Sequence, residues 1–266
     1  MIRISVIVEN NARPGFMQEH GLALRIEANG RTLLFDTGAG IAYPGNEPQF
    51  PHVSYDGVIL SHGHGDHTGG LCAVPSCRLW HGPEIAGPHY SHHPGKPVRN
   101  IAMPAECVAA LARFQCETVS AFREILPGFF LTGPIPRESG ETAGGPFYHD
   151  DRKCVPDCIP EEQALLLSGG LLIQGCCHAG IINTLEYCRK HAPENPVRAI
   201  FGGLHLLHAD EARLKETADY LLDHNIRDLY LMHCTGENAI AYLRDRGFRI
   251  VTPCAGDVLE IPRFFA

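Results

Sequence analysis

Ser61-His62-Gly63-His64-Gly65-Asp66-His67-Thr68-Gly69-Gly70 places three histidines and an aspartate within six residues, directly behind the apolar run Gly57–Leu60. Glycines interleaved at this density exclude a helix or a regular strand, so the stretch is predicted to be a loop at a strand's end. A loop can wrap several ligands around one point, which a strand cannot. Imidazole and carboxylate are the donors that a borderline divalent ion such as zinc prefers, and glycine lets the backbone turn tightly enough for neighbouring side chains to converge.

The same pattern recurs further along in weaker form. Leu171-Leu-Ile-Gln-Gly-Cys-Cys leads into His178, Ala199-Ile-Phe-Gly-Gly-Leu into His205, and Leu229-Tyr-Leu-Met into His233. In an open α/β sheet the loops that follow strand C-termini share one edge, so four such histidine sites would meet in one crevice. His178 and His233 are expected to be ligands. His205 is expected either to join them or to orient one of them.

Composition agrees with a metal-centred reading and narrows it. The 266 residues are 44% hydrophobic and 20% charged, enough to bury a core without disulfides or structural metals. No apolar run reaches the ~18 residues of a membrane span. With 22 Lys and Arg against 30 Asp and Glu, the net charge of -8 lacks the footprint of a protein that tracks phosphate backbones. The expected partner is therefore a small molecule, with no nucleic acid and no membrane; oligomeric state is not readable. The 16 His and 11 Cys exceed what a core or a surface requires. No CxxC pair occurs, which argues against a zinc ribbon or an iron–sulfur run. Met1 to Glu9 runs straight into the strand-like ISVIVE without a leader, so a cytoplasmic location is expected, with mostly free thiols buried as small hydrophobes. Cys176, Cys177 and Cys234 stand apart because they adjoin the histidines.

Periodicity predicts strands at Ile4–Val8, Leu22–Glu27, Thr32–Phe35 and Gly57–Leu60, opening as an antiparallel meander with a turn at Asn29-Gly30. Helices are predicted at 104–114, with Pro104 at the first position, and at 181–190, 210–224 and 237–246. Short apolar runs at 171–173, 199–201, 229–232 and 249–251 alternate with them. Residues 83–100 and 134–160, rich in Gly, Pro and His, read as long surface loops near a functional face. His89, His92 and His93 are expected on that surface. Composition forces no domain boundary, so one domain over 1–266 is expected.

Read together, these segments resemble the metallo-β-lactamase superfamily. Its HxHxDH signature is matched by His62, His64, Asp66 and His67. Glu19-His20-Gly21, Phe35-Asp36-Thr37-Gly38, Gly175-Cys-Cys-His178-Ala-Gly180, Gly202-Gly-Leu-His205 and His233-Cys-Thr-Gly236 resemble the branch of dihydropterin-ribofuranosylaminobenzene phosphate synthase-like proteins. The resemblance implies an α/β (α+β) fold, a four-layer αββα sandwich with a dinuclear site at the edge between two sheets. It implies that His62, His64 and His178 hold one divalent ion and that Asp66, His67 and His233 hold a second, the metal being zinc, with manganese or iron as the other options. Many members place a bridging aspartate between the third and last histidine motifs. No equivalent is evident here, which leaves Cys176 or His205 for that position. Asp36 is expected to support the metal loop by hydrogen bonding, and Glu161-Glu162-Gln163 to line the crevice on resemblance alone.

The function that follows is a metal-dependent hydrolase-like enzyme acting on a small molecule, phosphorylated or pterin-like. Asp66 would hold the attacking water in line, and His205 would serve the developing oxyanion or the leaving group. Thr68, Gly180, Thr235 and Gly236 are the candidates for binding a substrate phosphate, two of them because helices start directly behind the site histidines. The competing reading for Thr235 is a helix cap. Two alternative functions stand beside this one: an iron-dependent redox enzyme on the same fold, and a non-catalytic metal-binding or sensing protein. Histidine at position 64, where the diiron members carry an acidic residue, favours zinc and hydrolysis.

Overall fold

The computed structural model describes residues 1–141 and 145–263. Two mixed sheets of seven strands pack face to face. In the first, Val258–Ile261, Ile2–Val8, Ala23–Ala28 and Arg31–Phe35 run antiparallel, and Gly57–Ile59, Arg78–His81 and Gln115–Thr118 continue in parallel. In the second, Arg249–Val251, Asp228–Leu231, Ala199–Gly202 and Leu171–Gln174 are parallel, and Leu165–Leu167, Phe129–Leu131 and Arg123–Leu126 extend it antiparallel.

The two-residue period of a strand sorts the apolar side chains between layers. Leu33, Phe35 and Ile59 of the first sheet meet Leu165, Ile173 and Phe201 of the second in the middle of the molecule. Leu34, Val58 and Leu79 face outward against Phe50, Met103 and Cys107. On the far side, Leu172, Ile200 and Leu229 pack beneath the helices Ile181–His191, Glu211–Asp223 and Glu237–Asp245 through Leu185, Leu221 and Leu243. Strands covered on both faces need continuous apolar runs, which is why LLI and AIF show no alternation in the sequence. The result is the expected αββα order. Among the described residues, no helix is long and apolar enough to cross a membrane.

The meander and the strand–helix alternation stand where the sequence puts them, and three expectations change. The helix expected over 104–114 is Ala105–Ala110 followed by a 3-10 turn, Leu111–Arg113, with Pro104 as its cap residue rather than its first helical position. The loops 83–100 and 134–160 are not free of regular structure: Tyr90–Ser91 pairs with both Arg99–Asn100 and Phe147–Tyr148 in a small three-stranded sheet. That expectation extends to Thr142, Ala143 and Gly144, which lie outside the described residues. All 11 cysteines are free, as expected, yet Cys72, Cys116, Cys154 and Cys158 are exposed rather than buried.

Candidate metal centre

The four strand-end histidine loops do not share one sheet edge. His62, His64 and His67 follow Gly57–Ile59 of the first sheet. His178, His205 and His233 follow three adjacent parallel strands of the second, so the loops face each other across the mouth of the sandwich. The motif is also not wholly a loop, because Gly65–Thr68 closes one helical turn that carries Asp66 and His67. Its glycines serve close approach rather than turning: Gly63, Gly65, Gly69 and Gly70 all lie outside the left-handed region. A Cβ at Gly70 would sit 2.0 Å from the Thr37 carbonyl oxygen, and one at Gly63 would sit 2.5 Å from that of Ile85.

Asp36 anchors the first group. Its buried carboxylate accepts from the Ser61 N–H (2.7 Å), the Ser61 hydroxyl (2.7 Å) and His67 Nδ1 (2.7 Å), and Ser61 Oγ lies 2.9 Å from His62 Nδ1. One carboxylate thereby fixes two imidazoles, one directly and one through a hydroxyl, and leaves both Nε2 atoms for the crevice. His233 is held in the same manner. Its Nδ1 lies 3.2 Å from Asn10 Oδ1, and its N–H donates to Glu9 at 2.7 Å.

What these supports aim inward is a set of donors without partners. His62, His64 and His178 bring ring nitrogens within 4.8 Å of one another. His62 Nε2, His64 Nε2 and both His178 nitrogens are buried with no hydrogen-bond partner. Each such atom costs about 1–3 kcal/mol if left unpaired, so three converging imidazoles fit a divalent cation far better than an empty core. Burial drives the His64 imidazole down to about 3 and those of His62 and His178 well below the ordinary histidine range, so all three are neutral, the form that binds a metal.

The second group lies beside the first. His67 Nε2 is 3.1 Å from His233 Nε2, and Asp66 Oδ2 is 3.7 Å from the former and 3.5 Å from the latter. Against the pull of burial, His67 and His233 hold the Asp66 carboxyl well below the usual range. Burial likewise opposes protonation of His67, but Asp66 and Asp36 together push that imidazole up to about 9 in the metal-free protein. A cation here would take over the charge that the proton carries. The structure therefore brings together both sets of three residues named from the sequence. His205 adjoins the first set, its ring centroid 4.4 Å from that of His178.

The proposed phosphate donors are placed differently. The Thr68 hydroxyl donates to the His64 carbonyl (2.9 Å) and that of Thr235 to the Met232 carbonyl (2.9 Å), so neither proton is free for an anion. Thr235 does not cap its helix either; the N-cap is Gly236, and Thr235 Oγ1 accepts from the Leu204 N–H (3.1 Å) to tie two site loops together. Behind Gly180, the start of Ile181–His191 is already occupied, because Glu141 accepts from the Ile182 N–H at 2.7 Å. At Gly236, a Cβ would lie 2.7 Å from Leu207 Cα.

A family model described as the metallo-beta-lactamase superfamily matches residues 18–106. The chain is 31% identical over 245 residues to the uncharacterised protein MJ0448 of Methanocaldococcus jannaschii, covering 90% of this chain and 93% of that one. The chain belongs to the metallo-β-lactamase superfamily. It is also 27% identical over 269 residues to the 7,8-dihydropterin-6-methyl-4-(beta-D-ribofuranosyl)-aminobenzene-5'-phosphate synthase of the same organism, covering 90% of this chain and 89% of the synthase. Among solved structures it resembles Tm1679, described as a metal-dependent hydrolase of the beta-lactamase superfamily, with a TM-score of 0.86, 26% identity and coverage of 98% and 99%.

In this metallo-β-lactamase superfamily member, sequence reasoning missed Glu9 and the role of Glu161 and Glu162, buried carboxylates that grip the site from behind. Glu9 holds the N–H of His233. Glu162 accepts from the N–H groups of His178 (2.7 Å) and Ala179 (2.6 Å), and Glu161 accepts from that of Gly63 (3.1 Å). Glu161 and Glu162 therefore bind the backbone of the ligand loops instead of lining the crevice. Gln163 joins the halves, its N–H donating to the Ser61 carbonyl (2.8 Å) and its amide to that of Leu60 (3.0 Å). His89, expected on the surface, is buried between Asp157 (2.5 Å) and Glu161 (3.3 Å), its ring 5.2 Å from that of His64. Phe147 of the small sheet packs its ring 5.3 Å from His64, 5.3 Å from His178 and 5.9 Å from His205, forming part of the rim.

Proposed function

We propose that the chain, as one domain over 1–266, is a hydrolase-like enzyme that would hold two divalent ions, zinc in the first instance, for the activation of water against a small molecule. The observation that supports this is the convergence of buried, unpartnered imidazole nitrogens beside a second set that includes the ionised Asp66. When bound, such ions supply Lewis acidity and lower the pKa of water. The protein's own part is positional. Asp66 turns Oδ2 towards His67 and His233 and has its other oxygen to accept a hydrogen bond from the attacking water and keep it in line. His205 stands beside His178 to donate to the oxyanion or the leaving group, and Phe147 shields the rim from solvent. The likeness to the synthase makes phosphorylated pterin-like compounds the first class to assay.

The test is elemental analysis of protein purified without added metal, followed by turnover on phosphoesters, lactones and pterin phosphates. Asp66→Asn is expected to lose turnover by about 10²–10⁴-fold. An Asp66→Asn protein that keeps both ions and wild-type turnover would remove Asp66 from this role. Iron with a visible absorbance would point to redox chemistry instead.

A further inference from the structure

We propose that Cys176 is a metal ligand standing between the two ion positions, so that a thiolate takes the place that a bridging carboxylate would fill. The inference rests on the dinuclear reading above and deepens it.

Cys176 is buried at 3% exposure, and its Sγ lies 3.2 Å from His67 Nε2. It falls within 4.8 Å of donor atoms in three separate sets: with His62 and His67, with His233 and Cys234, and with His178 and His205. The sulfur thus reaches the donors of both ion positions. The other candidates are less well placed. Cys177 points the opposite way, into the core beneath the helices, with Sγ 4.0 Å from Thr184 Oγ1. Cys234 lies with Cys176 and His233 in one of those sets, but its thiol donates to the Cys176 carbonyl (3.3 Å) and so supports the strand end. His205 sits on the His178 side of the crevice. The neighbouring strand end offers no side chain, because it is Gly202-Gly203, and a Cβ at Gly203 would lie 2.5 Å from Cys234 Sγ.

Ligation would release the thiol proton to solvent and needs no oxidant. A thiolate beside imidazoles selects zinc, cobalt or cadmium over magnesium, calcium or manganese, which prefer oxygen. The thiolate would therefore sharpen a preference against oxygen-seeking ions that the histidines already set.

Cobalt(II)-loaded protein tests this by absorbance. The wild type is expected to show a near-ultraviolet thiolate-to-cobalt band that is lost in Cys176→Ser and kept in Cys177→Ser and Cys234→Ser. Persistence of the band in Cys176→Ser, or its loss in Cys234→Ser alone, overturns the assignment. X-ray absorption of the zinc-loaded wild type gives an answer even if Cys176→Ser fails to fold: a sulfur neighbour at about 2.3 Å is expected beside nitrogen at about 2.0–2.1 Å. A spectrum with nitrogen and oxygen alone overturns the proposal while leaving a two-ion site standing. A wild type that takes up neither metal overturns both readings.

Discussion

Asp36 shows how much of this site depends on residues that touch no substrate. It sits at φ 58°, in the left-handed region where Asp and Asn are tolerated, and Cys177, His205 and His233 at other strand ends share that strain. Asn tolerates the same backbone, so Asp36→Asn isolates the charge. It is expected to cost about 1–3 kcal/mol of stability by denaturant titration and to weaken metal affinity about 10–100-fold in chelator competition. The pH dependence has a definite sign. In metal-free protein, the folded pKa of His67 is raised from 6.5 to about 9, partly by Asp36, so this pairing stabilises fully below pH 6.5 and is lost as pH rises through about 9. The stability gap between wild type and Asp36→Asn should therefore narrow across that interval; a gap that widens would assign the coupling wrongly. Asp36 was legible in the sequence because Asp-Thr-Gly follows a strand. Glu9 and Asn10 were not, since they lie more than two hundred positions from the His233 they hold and nothing local marks them.

The helix Ile181–His191 begins directly behind His178, and its exposed N–H groups read from the sequence as an anion site. The chain fills that place itself. Glu141, pushed up by burial though opposed by Arg213 and the helix N–H groups, occupies the positive end. Glu141→Ala is expected to lower stability by about 1–2 kcal/mol, as loss of a cap does, with metal content unchanged by elemental analysis. The small sheet carrying Phe147 makes a different prediction. Phe147→Ala should keep both ions and raise KM for a small substrate more than it lowers kcat, whereas a large loss of metal would make the ring structural instead. Helices and parallel strands were legible because their apolar spacing is long and regular. Two-residue strands such as Tyr90–Ser91 carry no periodicity to read, and His89 between Asp157 and Glu161 depends on partners about 70 residues away.

For the molecule as a whole, the proposed function implies that bound metal and folding would be linked, because only the folded chain assembles the ligands. Removing metal by chelation is expected to lower the unfolding free energy by about 2.7 kcal/mol for protein previously held at a hundredfold excess over Kd. An unchanged denaturation midpoint would mean that the ligands do not act across the two sheets. The four-layer order followed from the resemblance, but the sequence suggested four strand ends along one edge. The division between sheets was hidden because strand order is a long-range property that apolar runs do not encode. The bridge made by Gln163 to the carbonyls of Leu60 and Ser61 carries a consequence for the order of events during synthesis. His62 to His67 leave the ribosome more than a hundred residues before His178 and His233; Asp36 can pin their loop early, and Gln163 adds its grip only once the later sheet has docked. On the two-ion reading, ion capture would then be a late step of folding, since a half-made chain offers only the first group of ligands to whichever metal is most abundant.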